Sequence, residues 1–145
     1  MTFEIVEAQK EDVTAVGELL QAASLPTDGF PEDVGLLLVA KENDRVIGGA
    51  GYELYRPYAL LRSVVVDDQQ RGRGLGIALI EAILEKGETI GVDAVYLLTE
   101  TAVDFFPKFG FIQIDRDEVP DEVTQSIEFT SACPASAQAM VRTAV

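Results

Sequence analysis

Histidine is absent from this 145-residue sequence, and cysteine occurs once, at Cys133. The first absence excludes Ser-His-Asp and Cys-His nucleophilic machinery and leaves general-base work to carboxylates, Tyr or water. The second excludes an intramolecular disulfide and a cysteine-built metal cage, so no metal site is expected and Cys133 reads as a small buried hydrophobe. No apolar run approaches the ~18 residues of a membrane span, and no basic segment followed by a short apolar stretch marks a signal peptide. A cytoplasmic location is therefore expected. Cations are scarce as well: 11 Lys plus Arg stand against 25 Asp plus Glu, a formal net charge of -14. Clustered cations are what bind a phosphate backbone, so neither nucleic acid nor an anionic membrane is an expected partner. The acid excess is spread along the chain, which suits a hypersaline cytoplasm and an ordinary acidic protein alike. The length suits one core, and a single domain over residues 1–145 is expected.

What is present is a regular alternation of elements. Phe3 to Glu7 alternates as a strand, and Lys10 to Ala23 carries Val13, Val16, Leu19 and Leu20 on one helical face. Residues 25 to 31 hold two prolines and a glycine, a loop expected near a substrate entrance. Leu36 to Lys41 and Arg45 to Leu54 read as paired strands joined by the polar turn Glu42-Asn43-Asp44, and Tyr58 to Val66 as a third. A helix over Ile77 to Ile90 stops at Gly91, and Asp93 to Leu98 resumes as a strand. Val119 to Ser131 mixes a turn with a helical stretch, and Ala137 to Arg142 forms a closing strand.

Between the third strand and the second helix lies Asp67-Asp68-Gln69-Gln70-Arg71-Gly72-Arg73-Gly74-Leu75-Gly76-Ile77. Glycines at alternate positions remove the Cβ atoms that would hold an anion off the backbone, so N–H groups at the helix start can turn toward a pyrophosphate. Arg71 and Arg73 place positive charge beside them. A dinucleotide fingerprint begins correctly at Gly72-x-Gly74 but has Ile77 where its third glycine belongs, and no Lys-Ser or Lys-Thr completes a P-loop.

What remains, Arg71-x-x-Gly74-x-Gly76 after a strand, resembles the acyl-CoA loop of the GCN5-related N-acetyltransferases; Val64 and Val66 resemble the V-x-V strand that feeds it. Thr99 to Phe111, with Phe105-Phe106-Pro107-Lys108-Phe109-Gly110-Phe111, resembles the short helix and L-G-F close of the same fold. The resemblance implies an α/β (α+β) architecture, a mixed central sheet splayed between its fourth and fifth strands and flanked by helices. It also implies acetyl-CoA as co-substrate, held by Val64, Val65, Val66, Arg71, Gly72, Arg73, Gly74, Leu75, Gly76, Ile77 and Phe106. Phe105 and Phe109 are then core residues and Phe106 faces the thioester. Leu61-Arg62-Ser63-Val64, Tyr96 to Thr99, Arg116, Pro120, Thr124, Glu128-Phe129, Cys133 to Ala137 and Met140 further resemble a small acetyltransferase group found with arsenic-resistance genes. One cysteine cannot supply converging thiolates for a soft metalloid, so the resemblance points to acetylation of an organoarsenical or amino-acid amine rather than to arsenic binding.

The chemistry assigns the remaining residues. An alkylamine is protonated at neutral pH and must lose its proton before it attacks a thioester, and Glu53 or Glu100 is the expected base. A backbone N–H near Val64, on a strand the family splays from its neighbour, would hold the acetyl oxygen. Many relatives place a proton-donating Tyr where this chain has Phe106. A CoA thiol resembles a Cys thiol with a pKa of about 8.5, so a hydroxyl at Thr99 or Thr101, or water, suffices for the departing thiolate. Arg62 and Ser63 are expected to orient an anionic substrate group. Expected partners are acetyl-CoA and a small primary amine, with a homodimer left open. A non-catalytic acetyl-CoA sensor and a protein N-terminal acetyltransferase are the alternative functions.

Overall fold

The alternating segments pair into a seven-stranded mixed sheet flanked by helices on both faces, as described by a computed structural model for residues 3–70, 72–100, 102–132 and 136–143. Arg71, Thr101 and Cys133, each singled out in the sequence, lie outside the described residues. The chain runs β1 (Glu4–Glu7), α1 (Lys10–Ala22), β2 (Leu36–Glu42), β3 (Arg45–Tyr55), β4 (Tyr58–Val66), α2 (Leu75–Thr89), β5 (Ala94–Thr99), β6 (Ile112–Ile114), α3 (Asp121–Thr124) and β7 (Gln138–Thr143). The sheet order is β1-β2-β3-β4-β5-β7-β6, antiparallel everywhere except between β4 and β5. The strands from β1 to β5, both longer helices and the closing strand fall where periodicity places them. Strand β6 is the exception: three residues at a sheet edge give too short an alternation to be seen in sequence.

Successive side chains of a strand point to opposite faces, and the core divides accordingly. Leu38 and Ala40 pack with Leu79, Ile80 and Ile83 of α2, while Val39 packs with Val16 and Leu20 of α1 on the other face. Strand β4 breaks its own alternation. Its register against β3 runs from Gly51↔Arg62 to Gly49↔Val65, three residues against two, and the extra residue falls beside Ser63, whose φ is 59°. This β-bulge puts Arg62 and Val65 on the α1 face together. The sequence reading has no bulge, because a single αL serine in an apolar strand carries no pattern of its own.

Strands β4 and β5 pair only over Tyr58–Leu60 and Ala94–Tyr96, so from Leu61 onward β4 has no partner on that side. The expected splay between the fourth and fifth strands is present, and it leaves a cleft at the C-terminal ends of two parallel strands. Helix α2 enters beside this cleft. It begins at Leu75 rather than Ile77, because Leu75 is fully buried and anchors the first turn, and Gly74 caps it in the left-handed conformation at φ 78°. None of the described helices is long and apolar enough to cross a membrane.

Helix α2 carries Gly76 in its first turn and Gly87 near its other end, and packing explains the second. A Cβ on Gly87 would stand 3.0 Å from Tyr52 Cε2 and 3.1 Å from its hydroxyl, and Tyr52 is 0% exposed. Gly87→Ala should therefore destabilise the protein by about 1 kcal/mol, since overpacking of roughly 1–3 kcal/mol exceeds the helix-propensity gain of ~1 kcal/mol. Urea unfolding measures this, and a stabilised variant would show that Tyr52 has room to move.

Candidate active site

Two cavities meet at the open edge of β4. The outer groove, about 380 Å³, runs along Val64, Val65 and Val66 to the loop and first turn of α2, where Gln70, Gly72, Gly74, Leu75, Gly76 and Ile77 line it together with Phe105. Gly72 and Gly74 have φ of 87° and 78°, and a Cβ built on either meets nothing within 4 Å. Both glycines therefore border open space and adopt a backbone that L side chains resist. The first backbone N–H groups of α2 have no partner within the helix, and the positive end of its dipole lies at this loop.

The inner pocket, about 280 Å³, lies in the splay itself. Leu61 to Val64 form one wall and Leu97 to Thr99 the other, with Leu25, Pro26, Ala102, Phe105, Phe106 and Glu128 closing it. Val64 and Phe105 line both cavities, so groove and pocket are continuous around them. Leu25 and Pro26 belong to the proline-containing loop, which does reach the inner pocket.

The structure gathers some of the expected residues here and sends others elsewhere. Val64, Val65, Val66, Gly72, Gly74, Leu75, Gly76 and Ile77 line the groove. Arg73 does not: its guanidinium turns back to Glu42, with Nη2 2.8 Å from Oε2 and Nη1 3.2 Å from Oε1, and lies 5.7 Å over the Phe3 ring. Its charge is spent on tying the loop to β2 rather than on an anion in the groove. Phe106 lines the inner pocket and joins the core against Phe111, 5.5 Å between ring centroids. Phe105, expected to be core alone, is only partly buried and forms the corner shared by both cavities. Thr99 lines the inner pocket at the end of β5, its hydroxyl accepting the Ala102 N–H at 3.0 Å.

Neither expected base faces the pocket. Glu100 is exposed and accepts a hydrogen bond from Ser136 Oγ at 3.4 Å, outside the cleft. Glu53 lies behind the pocket wall with its side chain 1% exposed. Its Oε2 is 2.8 Å from Nη1 of Arg62, and its Oε1 accepts the Tyr55 hydroxyl. Burial, followed by that bond to Glu53, pushes the Tyr55 phenol up to about 12, so it stays a donor at neutral pH. Arg62 is likewise committed. Its side chain is 0% exposed, Nε is 3.1 Å from Ser63 Oγ, and Nη2 donates to the Asp28 carbonyl at 2.8 Å. Arg62 and Ser63, expected to orient an anionic substrate group, both line the inner pocket, and there the guanidinium already pairs with Glu53 and donates to Ser63.

Glu128 was not among the expected site residues. It is 6% exposed, lines the inner pocket, and places Oε2 3.9 Å from Nη2 of Arg62. It arrives on the turn Glu128–Ala132, between α3 and β7, and this excursion is held down by Arg116, which donates to the Ala137 and Phe129 carbonyls and stacks 5.3 Å over the Phe129 ring. In sequence Glu128 is one acid among many, more than sixty residues from the strand it faces.

Comparison with known proteins agrees with this geometry. Residues 4–111 match the model of the acetyltransferase (GNAT) family. An amino-acid acetyltransferase of Mycobacterium tuberculosis is 32% identical over 115 residues, covering 76% of this chain and 64% of that protein. An L-methionine sulfoximine/L-methionine sulfone acetyltransferase of Pseudomonas aeruginosa is 32% identical over 78 residues, 50% of this chain and 43% of that one. The chain thus spans less than two thirds of the length of these relatives. Among solved structures, Rv2747 of M. tuberculosis in complex with CoA superposes with a TM-score of 0.81 at 22% identity, over 98% of this chain and 99% of that one. The N-acetylglutamate synthase of Neisseria gonorrhoeae, complexed with coenzyme A and N-acetyl-glutamate, gives 0.80 at 16% identity over 99% of this chain and 35% of that one. With the splayed sheet, the glycine loop and the matched family model in agreement, the chain belongs to the acetyltransferase (GNAT) family.

Proposed function

We propose that this protein transfers an acetyl group from acetyl-CoA to the primary amine of a small molecule. The observation that carries the reading is the continuity of the glycine-lined groove with an inner pocket at the unpaired edge of β4. The residues fit the co-substrate: Gly72 and Gly74 leave side-chain space empty beside the dipole end of α2, where backbone N–H groups would hold a pyrophosphate. The unpaired edge of β4 from Leu61 to Val66 offers backbone groups to the pantetheine arm. Acetyl-CoA supplies an activated acyl carbonyl and a thiol leaving group.

The protein's own residues bind, orient and exclude water. Phe105 at the junction of the two cavities and Phe106 on the inner-pocket wall present apolar rings, which would exclude water around a bound ligand and strengthen polar contacts inside. Thr99 accepts one hydrogen bond and keeps its hydroxyl proton to donate, which supports its role beside the departing thiolate. The inner pocket, at about 280 Å³, lies just below the ~300–1,000 Å³ typical of ligand sites, which favours a small acceptor over a peptide chain. The names of the two amino-acid-directed relatives support an amino-acid-like acceptor, and the resemblance to the arsenic-resistance group adds small organoarsenical amines.

A panel of primary amines, amino acids, amino-acid esters and amides, assayed with acetyl-CoA by free-thiol release, tests the proposal. Acceptor-dependent release at least tenfold above acetyl-CoA hydrolysis is expected. Tight acetyl-CoA binding with no acceptor-dependent release from any member would favour the sensor.

A further inference from the structure

We propose that the inner pocket selects amines that carry an uncharged, apolar side chain, and that Leu25 is one of the residues setting this choice. The inference rests on the proposed acetyl transfer and names the acceptor class that the same pocket would serve. Most of the lining is apolar: Leu25 and Pro26 from the loop, Leu61 and Val64 from β4, Leu97 from β5, and Phe106. The polar groups among the described lining residues are tied to the protein itself. The Thr99 hydroxyl accepts the Ala102 N–H at 3.0 Å, and Ser63 Oγ lies 3.1 Å from Nε of Arg62. Arg62 is the one cation among those described residues, and its Nη1 and Nη2 already reach Glu53 Oε2 and the Asp28 carbonyl, each at 2.8 Å.

An amino acid with an acidic side chain brings two carboxylates. A single guanidinium can meet at most one of them, and the other would leave water for a wall of leucine, proline and phenylalanine, where an unpaired charge is strongly disfavoured. An aliphatic side chain in the same place loses no polar contact and takes apolar surface out of water on both partners. Leu25 marks where such a side chain would rest. It is 38% exposed and borders the cavity, so it holds apolar surface that a ligand would cover. Its position is fixed: its N–H donates to the Leu20 carbonyl at 2.9 Å, and Arg62 holds the same loop three residues on, at the Asp28 carbonyl.

The test measures kcat/KM for leucine, alanine and glutamate with the wild-type protein, Leu25→Met and Leu25→Arg. Wild type is expected to favour leucine over each of the other two by at least about tenfold, since a single methylene in an apolar pocket is already worth roughly that much. Leu25→Arg, which adds a cation at the pocket, should shrink the leucine-to-glutamate ratio about tenfold through KM. Leu25→Met, apolar and of similar size, should keep that ratio within about threefold. Leu25 is exposed, so both variants should melt within about 2 °C of wild type, which shows that the fold is intact. Alanine or glutamate used as well as leucine by the wild type, or a leucine-to-glutamate ratio unmoved in Leu25→Arg, overturns the proposal. Absence of thiol release from every acceptor would instead strike the acetyl-transfer reading, and the same ratios, read as acceptor dissociation constants by calorimetry, would still decide whether the pocket selects apolar side chains.

Discussion

Replacing Arg62 by Met is expected to lower the unfolding free energy by about 3–5 kcal/mol, the usual cost of stranding one partner of a buried ion pair. The guanidinium side chain is 0% exposed and that of Glu53 1%, so water does not reach the carboxylate left behind. The Asp28 carbonyl and Ser63 Oγ lose their donor in the same substitution. For a chain of this size each kcal/mol moves Tm by roughly 2–4 °C, and a fall of roughly 6–20 °C should be seen. Removing both charges, in Glu53→Leu with Arg62→Met, should recover part of the loss, because the Glu53 carboxylate is no longer stranded while Glu128 still loses the guanidinium 3.9 Å away. The residual deficit should be at least about 1 kcal/mol, because the Tyr55 hydroxyl loses Glu53 as acceptor and the Asp28 carbonyl and Ser63 Oγ still lack the Arg62 donor. Urea unfolding of the four proteins in this cycle gives the coupling directly. A single-mutant cost below about 1 kcal/mol would show that the pair is solvated and that Arg62 does not hold the β3–β4 wall of the pocket.

The groove was legible in the sequence because its determinants are local. Val64 to Ile77 contain the strand, the alternating glycines and the helix start within fourteen consecutive positions, and periodicity locates both flanks. The splay between the fourth and fifth strands followed from the family resemblance, and the short β4–β5 pairing shows it. Charge partners were not legible. Arg73 meets Glu42 across 31 positions and Arg62 meets Glu128 across 66, and in a chain with 25 acidic residues no pattern singles out the one that folding brings near. The bulge at Ser63 changes which side chains of β4 share a face. Simple alternation gives Arg62 and Val64 the same face, whereas the extra residue gives Arg62 the same face as Val65 and leaves Val64 at the cleft. Glu53, two positions along β3 from Gly51, shares the face of Arg62 and pairs with it instead of serving the cleft. Phe105 and Phe106 were assigned from a cluster of adjacent aromatics whose order in space depends on the 3-10 turn Phe106–Phe109, and a turn of that length has too few residues to declare its phase.

With the glycine loop as the anion-binding end of the proposed acetyl-CoA groove, Gly74→Glu is expected to have the largest effect on ligand binding. A Cβ at this position meets no protein atom within 4 Å and borders the groove, so a glutamate would carry a negative charge to the dipole end of α2 where the pyrophosphate would sit. Part of any stability loss will come from φ 78°, which a non-glycine residue adopts at a cost of roughly 1–2 kcal/mol. Gly74→Asn, whose side chain tolerates that conformation and adds no charge, separates this strain from the electrostatic effect. The deciding measurement is the melting temperature of wild type, Gly74→Asn and Gly74→Glu with and without acetyl-CoA. At a hundredfold excess over Kd the ligand should stabilise the wild type by about 2.7 kcal/mol, a rise of roughly 5–10 °C. A reduced rise is expected in Gly74→Asn and none in Gly74→Glu; an undiminished rise in Gly74→Glu would show that the loop does not hold the ligand.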